Sequence, residues 1–302
     1  MRICSLLPSA TEILFALGLG DSVAGVTHEC DFPAGAAAKP PLIRPRVDVH
    51  AAPAEIDRQV RDIVARGESV YAVDAELLAS LAPDLIVTQD LCHVCAASPD
   101  DLAAALARLE REPRVLKLAP HSLADVWDDI RRGGEATGCA DVADALAASL
   151  AARVAAIESR VAGLNARPRV VCLEWLDPFY VGGHWVPEMV EKAGGVDALG
   201  KSGEPSFCVT REQVANSRAD VLMVMQCGYT AARNAADFRA LKIDELFPDL
   251  PAVQAGRMFA ADANGYFSRP GPRLADGVAL LAHALHPDLF SDEVAASAIR
   301  RL

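Results

Sequence analysis

The sequence predicts an α/β protein built as two similar parallel-sheet lobes joined by a single long helix. Three observations predict it. Short apolar runs alternate with helical patterns along the whole chain, the signature of βαβ units. A stretch of the first half returns in the second: DAELLASLAPDLIVT at 74–88 against TREQVANSRADVLMV at 210–224. That alignment sets Asp84 opposite Asp220, Glu76 opposite Glu212 and Gln89 opposite Met225. Between the halves lies 141–164, whose larger apolar residues Val142, Leu146, Leu150, Val154, Ile157, Val161 and Leu164 recur at steps of four or three. Such steps draw one stripe down a helix. Asp141 can cap its start, Pro168 forbids its continuation, and it spans roughly 35 Å. The divisions that follow are an N-terminal lobe at 1–138, the connecting helix at 139–166 and a C-terminal lobe at 167–302.

A chain of 302 residues is long enough for two lobes with a core each. Its formal net charge of −12 and its scattered arginines argue against nucleic acid, whose phosphates need a concentrated basic patch. No stretch reaches the roughly 18 apolar residues of a membrane span. Residues 2–7 (RICSLL) already read as a buried strand with no export signal before them. The expected location is therefore cytoplasmic for the chain as given, and extracytoplasmic only if its start has been trimmed. Eight cysteines in such a chain read as free thiols or metal ligands rather than as a disulfide framework.

Taken in order, strand 2–7 runs into Pro8-Ser9-Ala10-Thr11-Glu12 and the amphipathic segment 13–19, closed by Gly18 and Gly20. Residues 22–26 form a second strand, followed by loop 27–33, and the Pro-rich run 39–45 reads as loop. Helices are predicted at 54–66 and 74–81, and a strand at 84–88. Helix 99–111, strand 114–118 and helix 123–137 complete the first half. In the second half strand 169–173 precedes helix 186–194, and strand 257–260 precedes helix 272–285. Ligands of open parallel sheets sit beyond the carboxyl ends of the strands. Two such lobes facing each other would place the loops 8–12, 27–33, 89–95, 174–185, 205–208, 226–230 and 263–269 in one ligand cleft between them.

Several motifs together resemble the class III periplasmic binding proteins, and most closely their cobalamin-binding branch. They are SLLPSATEI with GLGDSVAGVTHECDFP, then DAELLASLAPDLIV, TREQV with ADVLMVM, and the closing FSRPGPRLADGVALLAHAL. The resemblance covers nearly the whole chain. It implies two α/β lobes bridged by one helix, with a rigid cleft that binds a corrinoid, haem or ferric chelate and passes it to an ABC importer permease. It also implies that Glu76 and Glu212 dock the transporter; the plainer reading is a solvated carboxylate at a helix start. With a single rigid crossing, large hinge closure is not expected. The sequence departs from the branch in its first lobe, where His28, Glu29 and Cys30 stand where an aromatic is expected.

The groups that could do chemistry divide between the lobes. Cys92-His93-Val94-Cys95 can present two thiolates to one ion, and His28 and Cys30 follow a nearby strand. Together Cys92, Cys95, His93, His28 and Cys30 could ligate Zn²⁺ or a softer metal; a redox dithiol and inert core thiols are the competing readings. Cys208 and Cys227 belong to the second lobe. There Trp175, Phe179, Tyr180, Trp185, Phe207, Tyr229, Tyr266 and Phe267 crowd the strand-end loops, although aromatics are only 5% of the chain. A flat macrocycle is held mainly by such faces. Arg269 and Asp177 could pair with a ligand's polar side groups, and His184 could be an axial ligand to a metal centre. His28, Glu29 and Gln89 complete the expected ligand contacts from the first lobe. No nucleophile elbow, phosphate loop, dinucleotide fingerprint or zinc-protease helix is present. The reading is a corrinoid-binding protein that leaves its ligand unchanged and is not an enzyme, with an intracellular metal-site or thiol-dependent protein as the alternative.

Overall fold

A computed structural model of the chain describes residues 1–89, 99–290 and 297–302. These fall into two compact units. One comprises Met1–Pro120 with Trp127–Ala147, the other His121–Val126 with Ala148–Leu302.

The first unit contains β1 (Ile3–Ser5), α1 (Pro8–Ala16), β2 (Val23–Thr27), β3 (Pro41–Pro45), α2 (Pro53–Ala65), β4 (Tyr71–Val73), α3 (Ala75–Leu81), β5 (Leu85–Gln89), α4 (Pro99–Leu106) and β6 (Arg114–Leu118). Two further helices, α5 (Leu123–Thr137) and α6 (Ala140–Val161), are each shared between the units. Among the described residues the sheet order is β4-β3-β2-β1-β5-β6. Every pairing is parallel except β3 with β4. Leu42, Ile43, Cys4 and Ile86 from the strands, with Leu6 just beyond β1, pack with Leu78 of α3 and Leu102 and Ala105 of α4.

The run 39–45, expected as loop, forms strand β3 instead. Its prolines occupy the first and last positions, where a missing N–H costs the ladder least. Between them Ile43 O accepts the His28 N–H and Leu42 O accepts that of Asp74.

The second unit contains β7 (Arg169–Leu176), β8 (Phe179–Val181), α7 (Val186–Lys192), β9 (Val196–Asp197), β10 (Phe207–Cys208), α8 (Arg211–Asn216), β11 (Val221–Val224) and α9 (Ala231–Ala240). The short helices α10 (Ile243–Leu246) and α11 (Pro251–Gln254) lead to β12 (Met258–Ala261), α12 (Ala263–Tyr266), α13 (Leu274–Leu285) and β13 (Ile299–Arg301). The order is β10-β8-β7-β11-β12-β13, with β9 also paired to β7. Here the expected parallel core, β7 with β9, β11 and β12, is extended by antiparallel strands. Strand β7 continues to Leu176 and turns back as a hairpin, so that Trp175 pairs with Tyr180, and β10 then adds antiparallel to β8. Half of segment 174–185 and half of segment 205–208 are thus strand.

The repeat read from the sequence is present in the sheets. Strands β1, β5 and β6 are parallel neighbours in one unit, as β7, β11 and β12 are in the other. The long helix is present too, but its buried stripe shifts at the start. Ala143, Ala147, Leu150, Val154, Ile157 and Val161 are buried while Val142 is 50% exposed. The cause is close packing on α5: a Cβ on Gly134 would lie 2.3 Å from the Ala143 Cβ. Only small residues fit that crossing. Among the described residues no helix is long and apolar enough to cross a membrane.

Candidate functional site

In the second unit the chain leaves β7 toward one side of the sheet and returns through β11 to the other. The carboxyl ends of β7 and β11 therefore flank the point where the strand order reverses, the place where open α/β sheets bind ligands. Two aromatics meet there. Trp175, near the end of β7, and Tyr229, just beyond β11, have ring centroids 5.5 Å apart inclined at 55°. Trp175 is partly exposed and its indole N–H donates to the Asp177 carbonyl at 3.2 Å. Tyr229 is buried, and burial pushes its hydroxyl up to about 12.

The Tyr229 ring is held from several sides. The Arg233 guanidinium carbon lies 3.8 Å from the ring centroid, and Nη2 donates to the phenol oxygen at 2.8 Å. Thr230 caps α9 by accepting the Arg233 N–H, which fixes the turn of helix that carries the arginine. The Tyr229 carbonyl accepts from Ala263 and Asn264, joining this turn to the one after β12.

Beneath them lies a buried amide network. The backbone N–H and Nε2 of Gln226 both donate to Asn234 Oδ1, at 3.0 and 3.1 Å. Gln226 Nε2 also donates to Asp237 Oδ2 at 3.1 Å, and Asn234 Nδ2 donates to the Ala261 carbonyl at 2.9 Å. These bonds tie β11, α9 and β12 together, while Gln226 Oε1 is buried with no partner among the described residues.

The remaining aromatics divide by burial. Trp185 is 5% exposed with Nε1 donating to the Phe267 carbonyl at 2.8 Å, and Phe267 is itself buried. Both are core positions here. Phe179 and Phe207 pack their inner sides on the core, Phe179 against Phe247 at 5.5 Å. Tyr266 is partly exposed, with Arg273 5.6 Å from its ring centroid. Arg269 is buried at 6% exposure, whereas Asp177, Cys208 and Cys227 are exposed.

In the first unit Cys30 is buried and its sulfur is engaged locally, 3.1 Å from Thr11 Oγ1 and 3.3 Å from Thr27 Oγ1. His28 places Nδ1 3.0 Å from the Ile43 carbonyl and Nε2 3.8 Å from Glu29. Gln89 is partly buried at the end of β5. Cys92, His93 and Cys95 lie outside the described residues. Among the described ones no group of three or more His, Cys, Asp or Glu is gathered as for a metal ion.

Glu76 and Glu212 are both exposed in the first turns of corresponding helices, α3 and α8. Asp74 caps one helix and Thr210, in a capping box with Gln213, caps the other. The backbone N–H of Glu212 itself, then the Thr210 hydroxyl, holds its carboxyl below the usual range.

Two residues of note were not singled out from the sequence. Arg233 follows Tyr229 by four positions, a spacing that could have flagged the pair. Phe32 is 46% exposed in the very loop searched for an aromatic.

A family model described as "Periplasmic binding protein" matches residues 3–264. Among curated relatives, the vitamin B12-binding protein of Vibrio cholerae is 25% identical over 286 residues, which is 92% of this chain and 86% of that protein. An uncharacterized ABC transporter substrate-binding lipoprotein of Bacillus subtilis is 25% identical over 299 residues, covering 96% of this chain and 82% of its own. Among solved structures, the apo periplasmic heme-binding protein of Roseiflexus sp. RS-1 superposes with a TM-score of 0.73 at 26% identity, covering 95% and 98% of the two chains.

Proposed function

We propose, from the premise that this chain belongs to the periplasmic binding protein family, that it is the substrate-binding component of an ABC importer and that its cargo is cobalamin or another corrinoid. The cargo is held without chemical conversion. The observation that carries this reading is the Trp175–Tyr229 corner at the reversal point of the second sheet, backed by Arg233. A flat macrocycle offers a large apolar face to such a corner, and its amide or carboxylate side groups suit neighbouring polar residues. The vitamin B12-binding relative, aligned over 92% of the chain, supports the corrinoid. The heme-binding neighbour makes haem the second macrocycle to test. Glu76 and Glu212, exposed at matching helix starts, are the proposed contacts to basic residues of the permease.

Titration with cyanocobalamin and, separately, with hemin tests the reading by visible absorbance. Cobalamin binding tighter than about 1 µM, roughly −8 kcal/mol, with weaker hemin binding supports the corrinoid. Hemin binding alone moves the cargo to haem while leaving the binding role intact. Absence of both at about 100 µM, roughly −5.5 kcal/mol, removes the macrocycle reading.

A further inference from the structure

Away from the Trp175–Tyr229 corner, the second unit brings two imidazoles together. His121 stands just before α5, where Asp125 Oδ2 accepts its backbone N–H and that of Ser122, each at 2.9 Å. His184 stands between β8 and α7. Glu188, in the first turn of α7, accepts the Leu123 N–H at 2.8 Å. That bond fastens the start of α5 to α7, and one histidine of the pair precedes each helix by two residues. The two rings have centroids 5.5 Å apart and are inclined at 54°.

His184 is held in place by more than packing. Its φ of 51° lies in the left-handed region, which is uncommon for residues other than glycine. Its N–H donates to the Glu204 carbonyl at 2.6 Å and its carbonyl accepts from Gly203 at 2.9 Å. The preceding Gly183 has no room for a side chain, since a Cβ there would sit 2.3 Å from the Ser206 nitrogen. On its other side the ring stacks on Trp185, with centroids 5.6 Å apart at 27°. Nδ1 of His184 is buried with no hydrogen-bond partner among the described residues. A buried ring nitrogen left bare is unfavourable unless a ligand meets it.

We propose that His121 and His184 form a two-imidazole site for a borderline transition-metal ion of the Zn²⁺ class. Two imidazoles sharing a tetrahedral ion through bonds of about 2.0–2.1 Å have centroids about 5 Å apart, close to the spacing found. Asp125 and Glu188 are occupied with backbone N–H groups, so the pair supplies two ligands and leaves the other positions to water or to the chelate that delivers the ion. The site does not depend on the macrocycle reading, and neither test decides the other.

Calorimetric titration with Zn²⁺, on protein whose accessible thiols are alkylated, tests it in wild type, His121→Ala and His184→Asn. The exposed His121 can be truncated without disturbing the core, and Asn tolerates the left-handed backbone of position 184. One Zn²⁺ per chain, weakened at least about tenfold in both variants, is the expected result. No heat at about 100 µM Zn²⁺, or equal affinity in wild type and both folded variants, overturns it. Should His184→Asn fail to fold by circular dichroism, His121→Ala alone decides.

Discussion

Trp175 and Tyr229 meet with their rings tilted at 55° and centroids 5.5 Å apart, where β7 and β11 part to opposite sides of their sheet. Tyr229 is buried beneath Arg233 while Trp175 keeps an exposed face. Trp175 is therefore the wall that a ligand can touch without the core being disturbed. Trp175→Ala is expected to weaken cobalamin about tenfold or more, roughly 1.4 kcal/mol, with the thermal midpoint unchanged. Equilibrium titration checks it, and a change under about twofold would remove Trp175 from the site.

The two sheets repeat one local device. Asp84 Oδ2 accepts the Arg2 N–H at 2.7 Å, and Asp220 Oδ2 accepts the Arg169 N–H at 2.8 Å. Two positions earlier, Ala82 and Arg218 are left-handed, with φ of 43° and 53°. Glycine removes the Cβ penalty there, at some cost in chain entropy. Ala82→Gly and Arg218→Gly should each stabilise by a few tenths to about 1 kcal/mol. A lowered midpoint in urea for both would contradict the assignment of strain.

Gly277 lies within α13, and a Cβ there would come 2.2 Å from the Tyr266 carbonyl oxygen. Backbone cannot yield as a side-chain tip can. Gly277→Ala should destabilise by about 1–3 kcal/mol despite alanine's better helix propensity. Gly163→Ala, with nothing within 4 Å, serves as the neutral control. Thermal unfolding of the two variants separates them.

Burial, then the charge of His121, holds His184 below the usual imidazole range, and burial does the same to His286. Both resist protonation more in the folded than in the unfolded chain. Their contribution is therefore fully present above the unfolded value near 6.5 and is lost as pH falls below it. Stability should drop between about pH 7 and pH 5. A double His184→Asn, His286→Gln variant should flatten that drop, and an identical pH profile for variant and wild type would count against it.

Much of the architecture was legible because it rests on periodicity. The α5 bounds, the repeat around Asp84 and Asp220, and the buried stripe of α6 beyond Leu150 all follow from spacing. The start of that stripe did not, because Gly134 demands small partners and Ala143 outcompetes the larger Val142. The hairpin from β7 to β8 was hidden because residues 174–181 mix polar and aromatic side chains without clean alternation. Prolines at 41 and 45 masked β3 for the reason that they sit at its ends. In the candidate site the aromatics were visible as a group. Which of them face the core was not, since Trp185 and Trp175 read alike until Phe267 claims the indole of the first.

Titration of wild type and Trp175→Ala with cyanocobalamin decides whether the Trp175–Tyr229 corner belongs to a macrocycle-binding site, as proposed. The expected result is a saturable spectral change in wild type with a Kd below about 1 µM, weakened about tenfold in the variant. No saturable change up to about 100 µM cobalamin, or an identical curve for both proteins, would contradict it.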